Sequence, residues 1–488
     1  MKRTKIVATL GPATDDALVL EKLLKSGVDA ARLNYSHGTQ KEQESRIREV
    51  RTIAKKLGKE ITLIADLQGP KIRIQKFKES PVQLQEGSQF IIDTELPAKS
   101  GTVTSVGITY KKITADICSG DTLLLDDGRI VLEVTSVSKN LILTNVITGG
   151  KLSDNKGINK LGGGLSAKSL TSKDKRDLKH ALSNDVDYIA ISFPRTANDI
   201  ELARKLIKRE GGKAGIIAKI ERAEALECAD EIIAASECIM VARGDLGVEI
   251  GDERLPPAQK ILIRKAVEHH KIVITATQMM ESMIENPIPT RAEISDVANA
   301  TLDGTDAVML SGETSVGAFP VKAVEAMARA CKGAETSWQE PPWFASQSNR
   351  KFDRIDQAIA MSAIYCSNRI GVKAIAALTE SGLTALWMSR INTSIPIFAI
   401  SRHASTLRKV TLYKNVYPIQ FNVGSVPYSQ VTREVLNLIM EHGGLKNGDR
   451  VMITKGDLHG HSGGTNGMKI ITVGDFLRKT KGDRNEHK

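Results

Sequence analysis

The sequence predicts an α/β protein: a (β/α)8 barrel, interrupted by a small β-barrel domain and followed by an open α/β domain. Three observations carry this. Short apolar runs that end in polar residues alternate with helical segments eight times. Between residues 71 and 167 that alternation stops, and short period-two runs separated by turns replace it. Beyond a Pro-, Ser- and Gln-containing stretch at 335–353 the alternation begins again. Parallel strands with crossover helices produce the first pattern, and eight such units close a TIM barrel. The expected domains are 1–70 with 168–340, the insertion 71–167, and 353–488.

Taken in order, residues 5–10 (KIVATL) read as a strand closed by Gly11-Pro12, and 15–26 as a helix stopped by Gly27. A strand over 30–34 runs into Tyr35-Ser36-His37-Gly38, a charged helix covers 41–57, and the strand 61–65 ends in Asp66-Leu67-Gln68-Gly69-Pro70. Alternating runs at 82–84, 89–92, 122–125, 130–134 and 141–143, punctuated by Glu86-Gly87, Asp127-Gly128 and Lys139-Asn140, lack helical periodicity and mark the inserted β domain. From Ser172 the barrel resumes, with strands at 188–193, 215–220, 238–242, 272–277 and 307–310. In the last domain a helix is expected over 355–368, with strands at 374–378, 397–400, 451–454 and 470–473.

Composition narrows the class. With 41% apolar and 26% charged residues the chain reads as globular rather than disordered. Five scattered cysteines with no CxxC fit reduced thiols in a cytoplasmic protein, not a disulfide framework. The basic start breaks at Gly11-Pro12 and turns acidic, unlike a signal peptide, and no apolar run has the length of a membrane span. A formal charge of +11 favours anionic partners, either nucleic acid or phosphorylated metabolites. An aromatic content of 4% and the absence of a nucleic-acid motif favour the metabolites.

Active sites of such barrels lie at the carboxyl ends of the strands. Those ends supply Arg32, Asn34, Ser36, Asp66, Arg73, Lys219, Glu221, Gly244, Asp245, Thr277 and Ser311. The stretch 214–251 is central: period-two alternation puts Lys219 and Glu221 on one side of a strand, and Asp245 leaves the next. An ammonium and two carboxylates converging there suit a divalent metal that handles phosphate. Alone, a Lys-x-Glu at a strand end is more often an exposed ion pair, and Arg-Gly-Asp-Leu-Gly a turn followed by a helix start.

The segments MKRTKIVATLGPAT, ARLNYSHG, IADLQGPKIR, DNKGINKLGGG, AKIERAEAL, MVARGDLGVEIG, ITATQMMESMIENPIPTRAEISDVANATLDGTDAVMLSGET and ALTESGLTA follow one another along almost the whole chain. Together they resemble the pyruvate kinase family, closest in texture to the bacterial form activated by sugar monophosphates or AMP. The resemblance implies transfer of a phosphoryl group from phosphoenolpyruvate to ADP, with Lys219, Thr277, Arg32 and Arg73 as the catalytic set. It implies Mg²⁺, or Mn²⁺, on Glu221 and Asp245, and substrate contacts at Arg32, Lys219, Gly244, Asp245 and Thr277. Thr277 matches a hydroxyl near the carbon that takes the proton, as donor or as the group ordering a water. Nucleotide contacts fall on Asn34, His37, Arg73 and Lys156, and a monovalent-cation position on Asn34, Ser36, Asp66 and the Leu67 carbonyl.

One position departs from many members, which carry glutamate after Gly-Pro and use K⁺. Here Lys71 follows Gly69-Pro70, and Leu67-Gln68 stands where K⁺ users have Thr-Lys. A tethered ammonium can replace the K⁺ charge, so K⁺-independent activity is expected. The likeness further implies a lid function for the insertion, a homotetramer, and an effector loop at Thr379, Ser381, Gly382 and Thr384, with Arg402 and His403 as helpers, that takes a phosphorylated small molecule. No nucleic-acid or membrane partner is expected. Two rival readings exist: other Mg²⁺-using barrels that make or break C–C or C–P bonds, and a basic RNA-binding or scaffold protein.

Overall fold

The computed structural model describes residues 1–336, 352–391, 393–457 and 463–474. Most of the linker expected at 335–353 therefore lies outside the described residues. Eight parallel strands form a closed barrel: β1 (Lys5–Leu10), β2 (Ala30–Asn34), β3 (Thr62–Asp66), β4 (Tyr188–Ile191), β5 (Gly215–Ile220), β6 (Cys238–Ala242), β7 (Ile272–Ala276) and β8 (Ala307–Leu310). Each pairs with its neighbours in chain order, and β8 returns to β1. Strands covered on both faces read as unbroken apolar runs, which is why 216–218 and 239–242 carry no alternation. Inside, Val7, Ile64, Ile217, Met240, Ile274 and Met309 fill the barrel, and this core continues into Ile364, Ile375 and Met388 of the last domain. The amino-terminal end of the barrel is thus sealed by packing, and the carboxyl end is left for chemistry.

Register and capping aim that end. Asn34 stands opposite Asp66 between β2 and β3, and Lys219 opposite Met240 between β5 and β6. Three outer helices, Gln40–Lys56, Ser172–Ser183 and Arg291–Asp303, start with reciprocal caps between Thr39 and Glu42, Thr171 and Asp174, and Thr290 and Glu293. Each cap contributes about 1 kcal/mol. Asp174 also accepts the Gly69 N–H at 3.0 Å, which pins the exit toward the insertion. Gly69 has φ 66° there, and a Cβ on it would fall 2.7 Å from the Ser192 Cβ, so no other residue fits without a shift.

The insertion holds a six-stranded sheet, in the order 158–160, 122–125, 130–137, 141–148, 89–93, 105–107, and a separate pair of strands, 82–84 with 150–152. Its two edges both bond to the entering segment 72–75. Ile158 N–H donates to the Ile72 carbonyl at 3.1 Å and Ile74 N–H to Lys156 at 3.0 Å on one side; Thr109 N–H donates to Arg73 at 2.9 Å and Gln75 N–H to Gly107 at 2.7 Å on the other. The sheet closes round Ile74, Phe90, Leu123, Leu132 and Ile142.

The last domain is a five-stranded open sheet, β9 (Ala374–Leu378), β10 (Ile397–Ser401), β11 (Val416–Gln420), β12 (Arg450–Lys455) and β13 (Gly467–Thr472), in the order β11-β10-β9-β12-β13 with β13 antiparallel. β11 was not expected, because Pro418 interrupts its run. It lies at the sheet edge, where the missing N–H of a proline leaves no ladder bond unmade. Among the described residues no helix is long and apolar enough to cross a membrane.

Candidate active site

At the mouth of the barrel Asp66, at the end of β3, sits between two cations. Arg32 Nε donates to its Oδ2 at 2.7 Å, and Lys219 Nζ lies 3.3 Å from its Oδ1. Lys219 Nζ also lies 2.8 Å from Glu221 Oε1 and donates to Ser192 Oγ at 2.8 Å. Burial pulls the Lys219 ammonium down, yet the Asp66 and Glu221 carboxylates outweigh burial and hold it above the usual lysine value. Burial likewise raises Asp66, and Lys219 with Arg32 outweighs it, so Asp66 stays ionised. Lys219 is therefore a permanent cation, with 12% of its side chain open to the mouth.

Glu221 differs. Burial raises its carboxyl, Lys219 opposes, and the Asp245 carboxylate raises it again, so the net shift is upward. Its Oε2 accepts the Phe193 N–H at 2.7 Å. Two carboxylates acting against each other in a partly buried pocket are what a divalent cation relieves. Among the described residues no group of three or more His, Cys, Asp or Glu forms a metal cage. Mg²⁺ does not need one, since it keeps waters and takes one or two carboxylates plus substrate oxygens. Glu221 and Asp245 fit that donor set.

Asp245 lies in the first turn of the helix Arg243–Ile250. Its Oδ1 is 3.0 Å from Lys71 Nζ, so the structure brings Lys71 to the Asp245 side of the mouth. The expected monovalent-cation position is partly engaged by protein groups: Asp66 by its two cations, and the Leu67 carbonyl by Ser192 Oγ at 2.7 Å. Asn34 Oδ1 accepts the Ser36 N–H at 3.1 Å, while Gln43 Nε2 ties the Asn34 and His37 carbonyls at 3.1 and 2.9 Å. Burial, then Arg73 and Arg32, hold His37 below the usual histidine value, so its ring is neutral.

Thr277, at the exit of β7, has φ 66°. Its Oγ1 accepts the Gly244 N–H at 2.8 Å and donates to the Ala276 carbonyl at 2.6 Å. Arg73 and Lys156 belong to the insertion and are held there, Arg73 Nη1 on the Asn155 carbonyl at 2.8 Å and Lys156 Nζ on Asp126 Oδ1 at 2.7 Å. Ser311 follows β8, where its N–H donates to Glu313 Oε2 at 2.6 Å. Sequence reasoning missed Thr9, Ser192 and Arg243. Thr9 and Ser192 are small hydroxyls whose use depends on what faces them, while Arg243 adjoins residues that were singled out.

In the last domain Thr379, Glu380 and Thr384 of the expected effector loop line a cavity of ≈ 70 Å³ with Arg402, Lys455 and Thr465, while Ser381 and Gly382 are not part of its lining. Thr379 Oγ1 accepts the Gly382 N–H at 2.9 Å, and Thr384 Oγ1 meets Thr465 Oγ1 at 2.8 Å. The Glu380 carboxylate holds His403 Nε2 at 2.6 Å and Arg402 Nε at 3.3 Å.

Comparison with known proteins identifies the family. A family model for the pyruvate kinase barrel domain matches residues 1–324, and one for the pyruvate kinase alpha/beta domain matches 357–471. A pyruvate kinase of Buchnera aphidicola subsp. Baizongia pistaciae is 52% identical over 97% of this chain and 99% of its own length. Pyruvate kinase II of Salmonella typhimurium is 51% identical over the same shares. A pyruvate kinase of Sporosarcina psychrophila is 40% identical over 99% of this chain and 82% of its own. The chain belongs to the pyruvate kinase family, phosphotransferases that act on phosphoenolpyruvate and ADP.

Proposed function

We propose that Lys219 neutralises the phosphoryl group as it passes from phosphoenolpyruvate to ADP at the mouth of this barrel. The observation that carries the reading is the Lys219 ammonium, fixed by Asp66, Glu221 and Ser192 next to Asp245 at the mouth. In the transfer the bond from phosphorus to the enol oxygen breaks, and an ADP β-phosphate oxygen bonds to phosphorus. The enolate carbon then takes a proton on the Thr277 side, giving pyruvate. Arg32 spends Nε on Asp66 and Nη1 on Thr9, which leaves Nη2 for a phosphate oxygen. The Gly244 N–H is used on Thr277, so the Asp245 N–H is the donor left for the substrate carboxylate, and Gly244 allows its close approach. Glu221 and Asp245 would hold Mg²⁺ or Mn²⁺, whose charge stabilises the transferring oxygens. Asn34, His37, Arg73 and Lys156 are assigned to the nucleotide, with residues 71–167 closing as a lid that excludes water.

Replacing Lys219 by Met tests the core of this reading: turnover in a lactate-dehydrogenase-coupled assay should fall by about 10³-fold or more. Normal turnover would sink it. The same assay run without ADP should be silent, which separates phosphotransfer from barrel chemistry on C–C bonds.

Three finer assignments follow the likeness. The Lys71 charge removes the need for K⁺, a reading carried by the lysine that follows Gly69-Pro70 and not by the Lys71–Asp245 pair; with a large organic cation in place of K⁺ the initial rate should persist, and its collapse would refute this. The pocket beside the 379–384 loop takes a phosphorylated activator, and Ser381→Asp, which adds a negative charge to that loop, should abolish its effect. A homotetramer in the cytoplasm is the expected working form.

A further inference from the structure

Thr277 and Gln278 leave β7 with φ 66° and 52°, two consecutive residues in the left-handed region that side chains disfavour. Something must hold them there. The buried Arg243 side chain does so through its guanidinium. Its Nη2 donates to the Thr277 carbonyl at 2.7 Å and the Gln278 carbonyl at 3.1 Å, and its Nε to the Thr277 carbonyl at 3.2 Å. The Asp296 carboxylate, on the helix Arg291–Asp303, takes both terminal nitrogens, Nη1 to Oδ1 and Nη2 to Oδ2, each at 2.7 Å, and so shares Nη2 with the two carbonyls. One planar guanidinium therefore joins the start of the Arg243–Ile250 helix, the exit of β7 and a neighbouring helix. Adjacent left-handed residues turn their carbonyls toward one side, and a five-donor fork is the group that gathers them. Without it those carbonyls lose their partner, the pair relaxes, and Thr277 Oγ1 leaves the Gly244 N–H.

We propose that Arg243 is a positioning residue that clamps the left-handed Thr277–Gln278 pair, so that the Thr277 hydroxyl stands at the substrate carbon. The proposal rests on the reading of Thr277 given above. Arg243→Lys keeps the charge and loses the fork. In the full-length enzyme it should lower kcat about 100-fold, the scale of a small misplacement of a reacting group, with KM for phosphoenolpyruvate within about threefold. Adding Gln278→Gly, which takes a positive φ freely, should restore kcat at least about tenfold. In a Thr277→Val background Arg243→Lys should cost nothing further.

Wild-type kcat in Arg243→Lys, no rescue by glycine, or full additivity with Thr277→Val overturns the clamp. Wild-type kcat in Thr277→Val alone overturns the reading of Thr277 instead. Should Arg243→Lys fail to fold, Asp296→Asn loosens the same fork from its exposed side and should lower kcat about tenfold at unchanged KM; an unchanged kcat would again refute the proposal.

Discussion

The two ends of the barrel each bury a cluster of charge, and they differ in how completely those charges pair within the protein. At the sealed end Arg390 makes a two-pronged pair with Asp306, donates to the Lys271 carbonyl at 2.7 Å, and is almost wholly enclosed. Asp306 also accepts the Val273 and Lys414 N–H groups, each at 3.0 Å. These bonds complement one another within the protein and join the barrel to the last domain. At the open end Arg32 keeps an Nη2 in hand, Lys219 faces the mouth, and Glu221 opposes Asp245. The difference teaches that burial of ions does not mark a site; incomplete mutual compensation does.

That contrast can be broken by exchange experiments. Lys219→Met should cost about 10³-fold in turnover, and because Asp66 keeps Arg32 as counter-ion and the Glu221 carboxyl is already shifted toward its protonated form, it should lower the midpoint of thermal unfolding less than Asp306→Asn does. A large loss of stability would erase the distinction. Asp306→Asn should do the reverse: about 3–5 kcal/mol less stable in denaturant titration, for leaving Arg390 enclosed without its counter-ion, with kcat per folded molecule retained.

A smaller effect sharpens the boundary between the two cases. Glu249, near the end of the helix that starts at Arg243, accepts Asn159 Nδ2 at 3.3 Å from the insertion and the Ala223 N–H at 3.1 Å from the barrel. Burial pushes its carboxyl up to about 7. The folded state then binds more protons than the unfolded one between the ordinary carboxyl value and about 7, so this contribution is complete below about 4.5 and lost as pH rises through 7. Glu249→Gln keeps an acceptor without the charge, so at pH 8 it should be more stable than the parent by on the order of 2 kcal/mol, with the gap closing at pH 4.5. Parallel pH–stability curves for the two proteins would contradict this.

Much of the fold was legible because parallel barrel strands carry apolar runs of fixed length that end in polar residues, and all eight appear in the structure where the runs lie. β11 was hidden by Pro418, which argues against a strand unless the strand is known to lie at an edge. In the site, Lys219, Glu221 and Asp245 were readable from strand periodicity and strand order. The clamp by Arg243 was not, since its partners are backbone carbonyls, which every residue has and no motif records. Asp66 was expected at a monovalent cation, and its pairing with Arg32 and Lys219 emerges only when β2, β3 and β5 are set side by side. Lys71 was expected near that same position, yet its reach across to Asp245 depends on the path of the chain after Gly69.

The insertion is closed by the very strand of chain that leads into it. Because residues 72–75 act as the last stave of that small cask, hydrogen-bonded to both rims, bending cannot be distributed along the entry path without splitting the wall. A lid movement of the kind proposed above would have to bend at the two or three peptide units just before it and at the glycines 162–164 on the return. Splicing a foreign loop into 72–75 would unravel the cap, whereas the exposed turn at 138–140 should accept one; the cap travels as a solid piece or not at all.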